Sequence, residues 1–191
     1  NKVFGQNSAL HFDGTNDYID FPSSMTGDNE SQTVEFWFKY TSLNSTYNMP
    51  IFMRGNDAGS GSGWNWQLQL NRTTQKLDLY GAGYYLTPNP LVSTNSLSTN
   101  TWYHIAVVHN LSDNTDKIYI NGVLNGTTSL APYLTSVPTF RNDAEGYQFG
   151  PQNVPSTYGY INQFIDEIRI WNVARTQSEI QNNMNGMNAP F

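Results

Sequence analysis

Residues 33–40 read TVEFWFKY, and this strict alternation constrains the chain more than any other feature. Val34, Phe36, Phe38 and Tyr40 fall on one side, and Glu35, Trp37 and Lys39 on the other. A period of two places successive side chains on opposite faces of a strand, whereas a helix would scatter the same rings around its axis. The pattern recurs in WNWQLQLN (64–71), where Trp64, Trp66, Leu68 and Leu70 alternate with Asn65, Gln67, Gln69 and Asn71. KLDLY (76–80) answers it across a turn at 72–75. WYHIAVVHN (102–110) and QFIDEIRIWN (163–172) read as longer strands, and YQFG (147–150) as a short one. Around Asn121-Gly122 two alternating runs form the clearest hairpin, because Asn-Gly supplies both positive φ values of a type I′ turn.

Residues 81–100, with Pro88 and Pro90, form a long polar stretch expected to hold a short strand or a ligand-facing excursion. One helix is expected over 176–185, where Thr176 caps and Glu179 completes a capping box. Its position at the chain end suggests packing on a sheet edge. With no fixed-period repeat and no shift in composition, residues 1–191 read as a single domain. Ten to thirteen short strands separated by turn signals imply an all-β fold: a two-sheet antiparallel β-sandwich with one short C-terminal helix.

Composition narrows the partners. Nine Lys and Arg stand against fifteen Asp and Glu, a net charge of −6, which opposes contact with a phosphate backbone, so no nucleic-acid partner is expected. There is no cysteine, which excludes disulfides, thiolate metal sites and a cysteine nucleophile. No apolar run is long enough for membrane insertion. The abrupt start at Asn1 suggests a domain excised from a larger secreted protein, whose other domains would be partners.

ALHFDGTNDYIDF (9–21), TVEFWFKY, WYHIAVVHN, DKIYINGVLNGT (116–127) and FIDEIRIWNVARTQSEI (164–180) occur in this order. Together they resemble the bacterial laminin-G-like, pentraxin-related jelly-roll domains of the concanavalin-A-like lectin/glucanase superfamily. The resemblance implies a jelly-roll sandwich in a secreted or cell-surface protein. That fold hosts lectins, adhesion modules, glycan-binding appendages and some enzymes, so it constrains function less than architecture.

Three constellations could carry chemistry. Asp13, Asn16, Asp17 and Asp166 are hard oxygen donors suited to calcium, and a bent turn such as 13–17 can also aim carbonyls inward. The resemblance implies a structural Ca2+ where the N-terminal and C-terminal strands meet, with Asp13 and Asp166 as its first ligands. The alternative is a plain turn at Asp13 and a surface or hydrogen-bonded Asp166. NLSDNTD (110–116) is a second oxygen-rich loop, read as loop-forming chemistry. The third is a sugar surface, where ring faces meet C–H patches and amides or carboxylates meet hydroxyls. Arg54, Asn56, Asp57, Trp64, Tyr84, Tyr85, Arg141 and Asp143 are the candidate ligand-binding residues, with Trp66 and Tyr80 nearby in sequence. Trp66 shares a face with Leu68 and Leu70 and is assigned to the core rather than to a ligand.

Catalysis finds no motif. A glycosidase needs two carboxyls facing each other across a cleft, but Asp166 and Glu167 are adjacent, and alternation would point them to opposite faces. His104 and His109 lie five positions apart and also fall on opposite faces. The expectation is a non-catalytic, lectin-like module binding a neutral or weakly charged glycan or polysaccharide. The alternatives are a protein–protein adhesion or spacer module binding a cell-surface protein, and a hydrolase or lyase with an unrecognised site.

Overall fold

The computed structural model describes residues 9–22, 30–43, 46, 48–54, 66–81, 86–87, 90–130, 146–150 and 159–184. Among them the alternating segments form β1 (Leu10–Asp13), β2 (Ile19–Asp20), β3 (Gln32–Ser42), β4 (Met49–Arg54), β5 (Trp66–Leu70), β6 (Lys76–Gly81) and β7 (Leu86–Thr87). Then come β8 (Leu91–Ser96), β9 (Tyr103–Asn110), β10 (Thr115–Ile120), β11 (Val123–Leu130), β12 (Tyr147–Phe149), β13 (Asn162–Trp171) and the helix α1 (Gln177–Met184). The polar stretch 81–100 thus holds two strands, β7 and β8.

Seven strands join in the order β1-β13-β3-β9-β10-β11-β7, and six in the order β2-β12-β4-β5-β6-β8. All pairings are antiparallel. The two layers make the expected jelly-roll sandwich, and β1 and β13 pair so that both chain ends close the same sheet.

The core is where alternation put it. Val34, Phe36, Phe38 and Tyr40 are fully buried. From the six-stranded sheet Phe52, Trp66, Leu68, Leu70, Leu77, Leu79, Tyr147 and Phe149 meet them. Phe36 stands edge-on to Phe52 and Phe149, with ring centroids 6.0 and 5.2 Å away, and Phe52 is edge-on to Trp66 at 5.7 Å. Each buried ring contributes about 2–3 kcal/mol by removal from water, and each edge-to-face pair about 1 kcal/mol more. The Tyr40 hydroxyl donates to the Leu97 carbonyl at 2.9 Å, so its burial strands no polar group.

Local chemistry fixes the hairpins. Asn121 and Gly122 have φ of 52° and 71°, as a type I′ turn requires. Gly122 is needed twice over, because a Cβ there would stand 2.7 Å from Cγ of Gln181. Between β5 and β6, the Asn71 side-chain oxygen accepts from the backbone N–H groups of Thr73 and Thr74 at 3.0 and 3.1 Å, and Gln75 closes the turn at φ 56°.

Two expectations are corrected. Helix α1 packs on the outer face of the seven-stranded sheet, not on an edge: Ile180 is fully buried against Ala106, Val108 and Tyr119. The capping box that starts it does form, with Glu179 N–H donating to the Thr176 hydroxyl at 3.3 Å and Thr176 N–H to the Glu179 carboxylate at 2.8 Å. The second correction concerns Asp166 and Glu167. A bulge sets Asp166 opposite Trp37 but Arg169 opposite Glu35, with Glu167 at φ 50°. The extra residue breaks the alternation, and the Glu167 carboxylate pairs with the Arg169 guanidinium instead of facing the opposite side.

Phe36→Ala should cost about 3–5 kcal/mol of unfolding free energy, read as a lowered urea midpoint. Val123→Ala, at a site 56% exposed, should change it by less than about 0.5 kcal/mol. Similar effects at both sites would contradict the core assignment.

Candidate functional site

Every apolar side chain that β5 and β6 turn into the core forces its neighbour onto the outer face of the six-stranded sheet. Register lines these neighbours into two rungs. One runs Asp20, Gln148, Met53, Gln67 and Tyr80 across β2, β12, β4, β5 and β6. The next runs Pro50, Gln69, Asp78 and Val92 across β4, β5, β6 and β8. Sequence reasoning placed Gln67 and Gln69 on the polar side of their strand but did not single them out. The signal was two amides alternating with Trp and Leu, where the usual exposed strand face carries charge or hydroxyl.

These outer-face groups are buried: Gln67 is 2% exposed, Gln69 1% and Asp78 3%. Gln69 Nε2 donates to the Tyr80 hydroxyl at 3.3 Å, and Asn71 Nδ2 donates to Asp78 Oδ2 at 2.9 Å. Gln67 Nε2 and Gln69 Oε1 have no protein partner among the described residues. A spare donor and a spare acceptor thus sit about 6.6 Å apart on one strand face. Burial pushes the Asp78 carboxyl above its ordinary 3.8, against the opposing pull of hydrogen bonds from Asn71 and Gln69.

Of the residues picked from sequence for ligand binding, Arg54 lies elsewhere. Arg54 lies between the sheets, 5% exposed, with Nη1 donating to Gln32 Oε1 at 2.8 Å and its guanidinium 5.5 Å from the Tyr147 ring centre. The Tyr147 hydroxyl donates to the same Gln32 oxygen. Arg54 joins the two layers and faces away from the outer rungs. Asn56, Asp57, Trp64, Tyr84, Tyr85, Arg141 and Asp143 lie outside the described residues. Trp66 is in the core.

The four oxygen donors proposed for calcium do not gather at one point. Asp13, Asn16 and Asp17 share an exposed turn, in which Asp17 Oδ2 accepts from Asp13 N–H and Asp13 Oδ1 from Thr15 N–H, both at 2.8 Å. Asp13 is opposite Asn162 in the ladder. Asp166 therefore lies four residues further along β13, about 13 Å away, and its Oδ1 accepts from Glu167 N–H at 2.8 Å. In the second oxygen-rich loop, Asp113 pairs with Lys117 at 2.9 Å and Asp116 with His109 at 2.7 Å. Among the described residues no three His, Asp or Glu side chains are grouped to hold a metal.

A family model described as Concanavalin A-like lectin/glucanases superfamily matches residues 13–181. No curated protein matches the chain. Among solved structures, it is similar to a provisionally assigned carbohydrate binding protein from Bacteroides ovatus, with a TM-score of 0.70, 20% identity and coverage of 93% of this chain and 47% of that one. It is also similar to Trypanosoma rangeli sialidase in complex with sialic acid (TM-score 0.67, 14% identity, 91% of this chain and 27% of that one). Domain 4 of an extracellular arabinanase from Geobacillus stearothermophilus, in complex with arabinotriose, gives 0.64 at 19% identity, covering 92% of this chain and 80% of that one. The chain thus spans about half of the first protein and about a quarter of the second. At these identities the likeness establishes the fold.

Since the folded state holds Asp78 above 3.8, wild-type stability falls as pH rises from there through the raised value. Asp78→Asn lacks this titration. The urea midpoint of the variant minus that of the wild type should grow with pH across that window and level off above it. A difference that stays constant from pH 3 to 7 would contradict the burial of this carboxyl.

Proposed function

Given that the chain belongs to the Laminin_G_3 family of the concanavalin A-like lectin/glucanases superfamily, we propose that it is a non-catalytic carbohydrate-binding module and that the outer face of its six-stranded sheet meets the glycan. The observation that carries this reading is the amide row on β5. Gln67 Nε2 offers a donor and Gln69 Oε1 an acceptor, each without a protein partner among the described residues. A sugar hydroxyl both gives and takes a hydrogen bond, so neighbouring hydroxyls fit such a pair. Leaving the two amide atoms unmatched would cost about 1–3 kcal/mol each. The Tyr80 ring, one strand away from Gln67, supplies the apolar contact sugars also need.

On this face the spacing of the carboxyls favours binding over hydrolysis. Asp20 and Asp78 are the acids on the two rungs, and four strand spacings separate β2 from β6. At about 4.8 Å per strand that is about 19 Å, against the 5–10 Å or so that glycosidase pairs span. Two similar structures, a provisionally assigned carbohydrate binding protein and an arabinanase domain in complex with arabinotriose, point the same way. A place in a secreted or cell-surface parent accords with this reading, and no helix among the described residues is long and apolar enough to cross a membrane. The calcium expectation now rests on the turn at Asp13, Asn16 and Asp17 without Asp166.

A glycan array followed by calorimetry tests the proposal. A neutral oligosaccharide should bind, and Gln67→Ala and Gln69→Ala should each weaken it about tenfold, the loss of roughly one hydrogen bond. Binding of no glycan at millimolar concentration would favour the adhesion or spacer reading. Calcium is tested separately: EDTA should lower the melting temperature if the turn holds the ion, and an unchanged melting curve removes it.

A further inference from the structure

The other outer face, that of the seven-stranded sheet, carries a buried polar cluster that glycan binding does not use. Register places Arg169, Glu35 and Ala106 in one rung and Asp166, Trp37 and His104 in the next, across β13, β3 and β9. Glu35 and His104 are fully buried, with His104 Nε2 3.8 Å from Glu35 Oε2. The Trp37 ring stands edge-on to the imidazole, centroids 5.4 Å apart. Glu35 Oε1 accepts from Trp171 Nε1 at 2.8 Å.

Helix α1 closes over this spot. The Asn183 amide in its last turn lies 3.3 Å from Glu35 Oε1 and 2.8 Å from the Arg175 guanidinium. Gln181 Nε2 donates to the Gly122 carbonyl at 2.9 Å. Glu35 belongs to β3 and Gly122 follows β10, so the helix end straddles β9, where His104 lies between them. The His104 backbone is tied to the same hairpin: its N–H donates to Asn121 Oδ1 at 2.9 Å, and its carbonyl accepts from Asn121 N–H at 2.7 Å. Only Ile180 of the helix is fully buried, so its apolar anchor is small.

We propose that α1 is a proton-released clasp, closed over a neutral His104 and lifted from the sheet when acid charges that imidazole. The elements around the ring carry Glu35 on β3, Asp166, Glu167 and Arg169 on β13, Lys117 and Tyr119 on β10, Arg175 ahead of the helix and Glu179 within it. Burial, reinforced by the Arg169 charge, holds His104 down to about 4 while the clasp is closed. With α1 lifted, water reaches the ring and its ordinary 6.5 applies. Protons then bind the lifted form more tightly between these values, so its population grows up to tenfold per pH unit as pH falls, on the order of 50- to 100-fold from neutral pH to 4.5. Glu167 works the other way: burial holds its carboxyl above the ordinary value, which favours the closed form in acid.

Native-state hydrogen exchange across pH 7 to 4.5 tests the clasp, after correction for intrinsic rates. The Ile180 amide, bonded to the Thr176 carbonyl, should open more readily than the β9 amides at every pH. Its opening constant should rise steeply below pH 6, and His104→Gln should flatten that rise while Glu167→Gln should steepen it. Should His104→Gln fail to fold, the wild-type imidazole can be titrated directly by NMR. A midpoint far below 6.5 that coincides with shifts in the Trp171 indole and the α1 amides supports the clasp. Ile180 exchanging only with the core, an opening constant independent of pH, or a midpoint near 6.5 with α1 unmoved would each overturn it.

Discussion

The cross-sheet contact of Phe36 with Phe52 and Phe149 is the interaction on which the rest of the molecule depends. It joins β3, an inner strand of the seven-stranded sheet, to β4 and β12 of the other layer. Removing these rings from water is the main gain on folding, and the period of two then leaves no freedom elsewhere. Once Val34, Phe36 and Phe38 turn inward, Glu35 and Trp37 must turn out. Once Trp66, Leu68 and Leu70 turn inward, Gln67 and Gln69 must turn out. The core therefore dictates which polar groups each outer face receives.

The two faces use their polar groups in different ways. Beneath α1, Glu35 Oε1 accepts from the Trp171 indole and lies 3.3 Å from the Asn183 amide, while Glu35 Oε2, Trp37 Nε1 and both His104 ring nitrogens have no hydrogen-bond partner among the described residues. On the six-stranded sheet Gln67 Nε2 and Gln69 Oε1 have no protein partner among the described residues. A buried polar group left unmatched costs about 1–3 kcal/mol, and a hydroxyl-rich ligand would supply the partners these amides lack. The face covered by α1 suits a structural or switching role, and the amide-bearing face suits recognition.

Much of the fold was legible because its signals are local. TVEFWFKY named its inward residues correctly, Asn121-Gly122 gave the hairpin, and Thr176 with Glu179 gave the helix start. What escaped is non-local. The bulge at Asp166–Arg169 depends on how β13 sits against β3 and inverted the expected direction of Glu167. The docking of α1 on a sheet face depends on Ala106, Val108 and Tyr119 being exposed as a patch by two other strands. For the site, alternation put Gln67 and Gln69 on the polar face, but only the register shows that Asp78 and Tyr80 stand beside them. Arg54 read as a rim cation, yet its partners Gln32 and Tyr147 are 22 and 93 positions away, beyond the reach of any local pattern.

The central claim is that a neutral oligosaccharide docks on the amide row of β5. Titrating a 15N-labelled chain with such a ligand and following the side-chain amide resonances of Gln67 and Gln69 tests it most directly. Both should shift on binding, together with the Tyr80 ring protons, while the Trp171 indole beneath α1 stays still. Saturable binding that leaves both glutamine side chains unmoved would contradict the account.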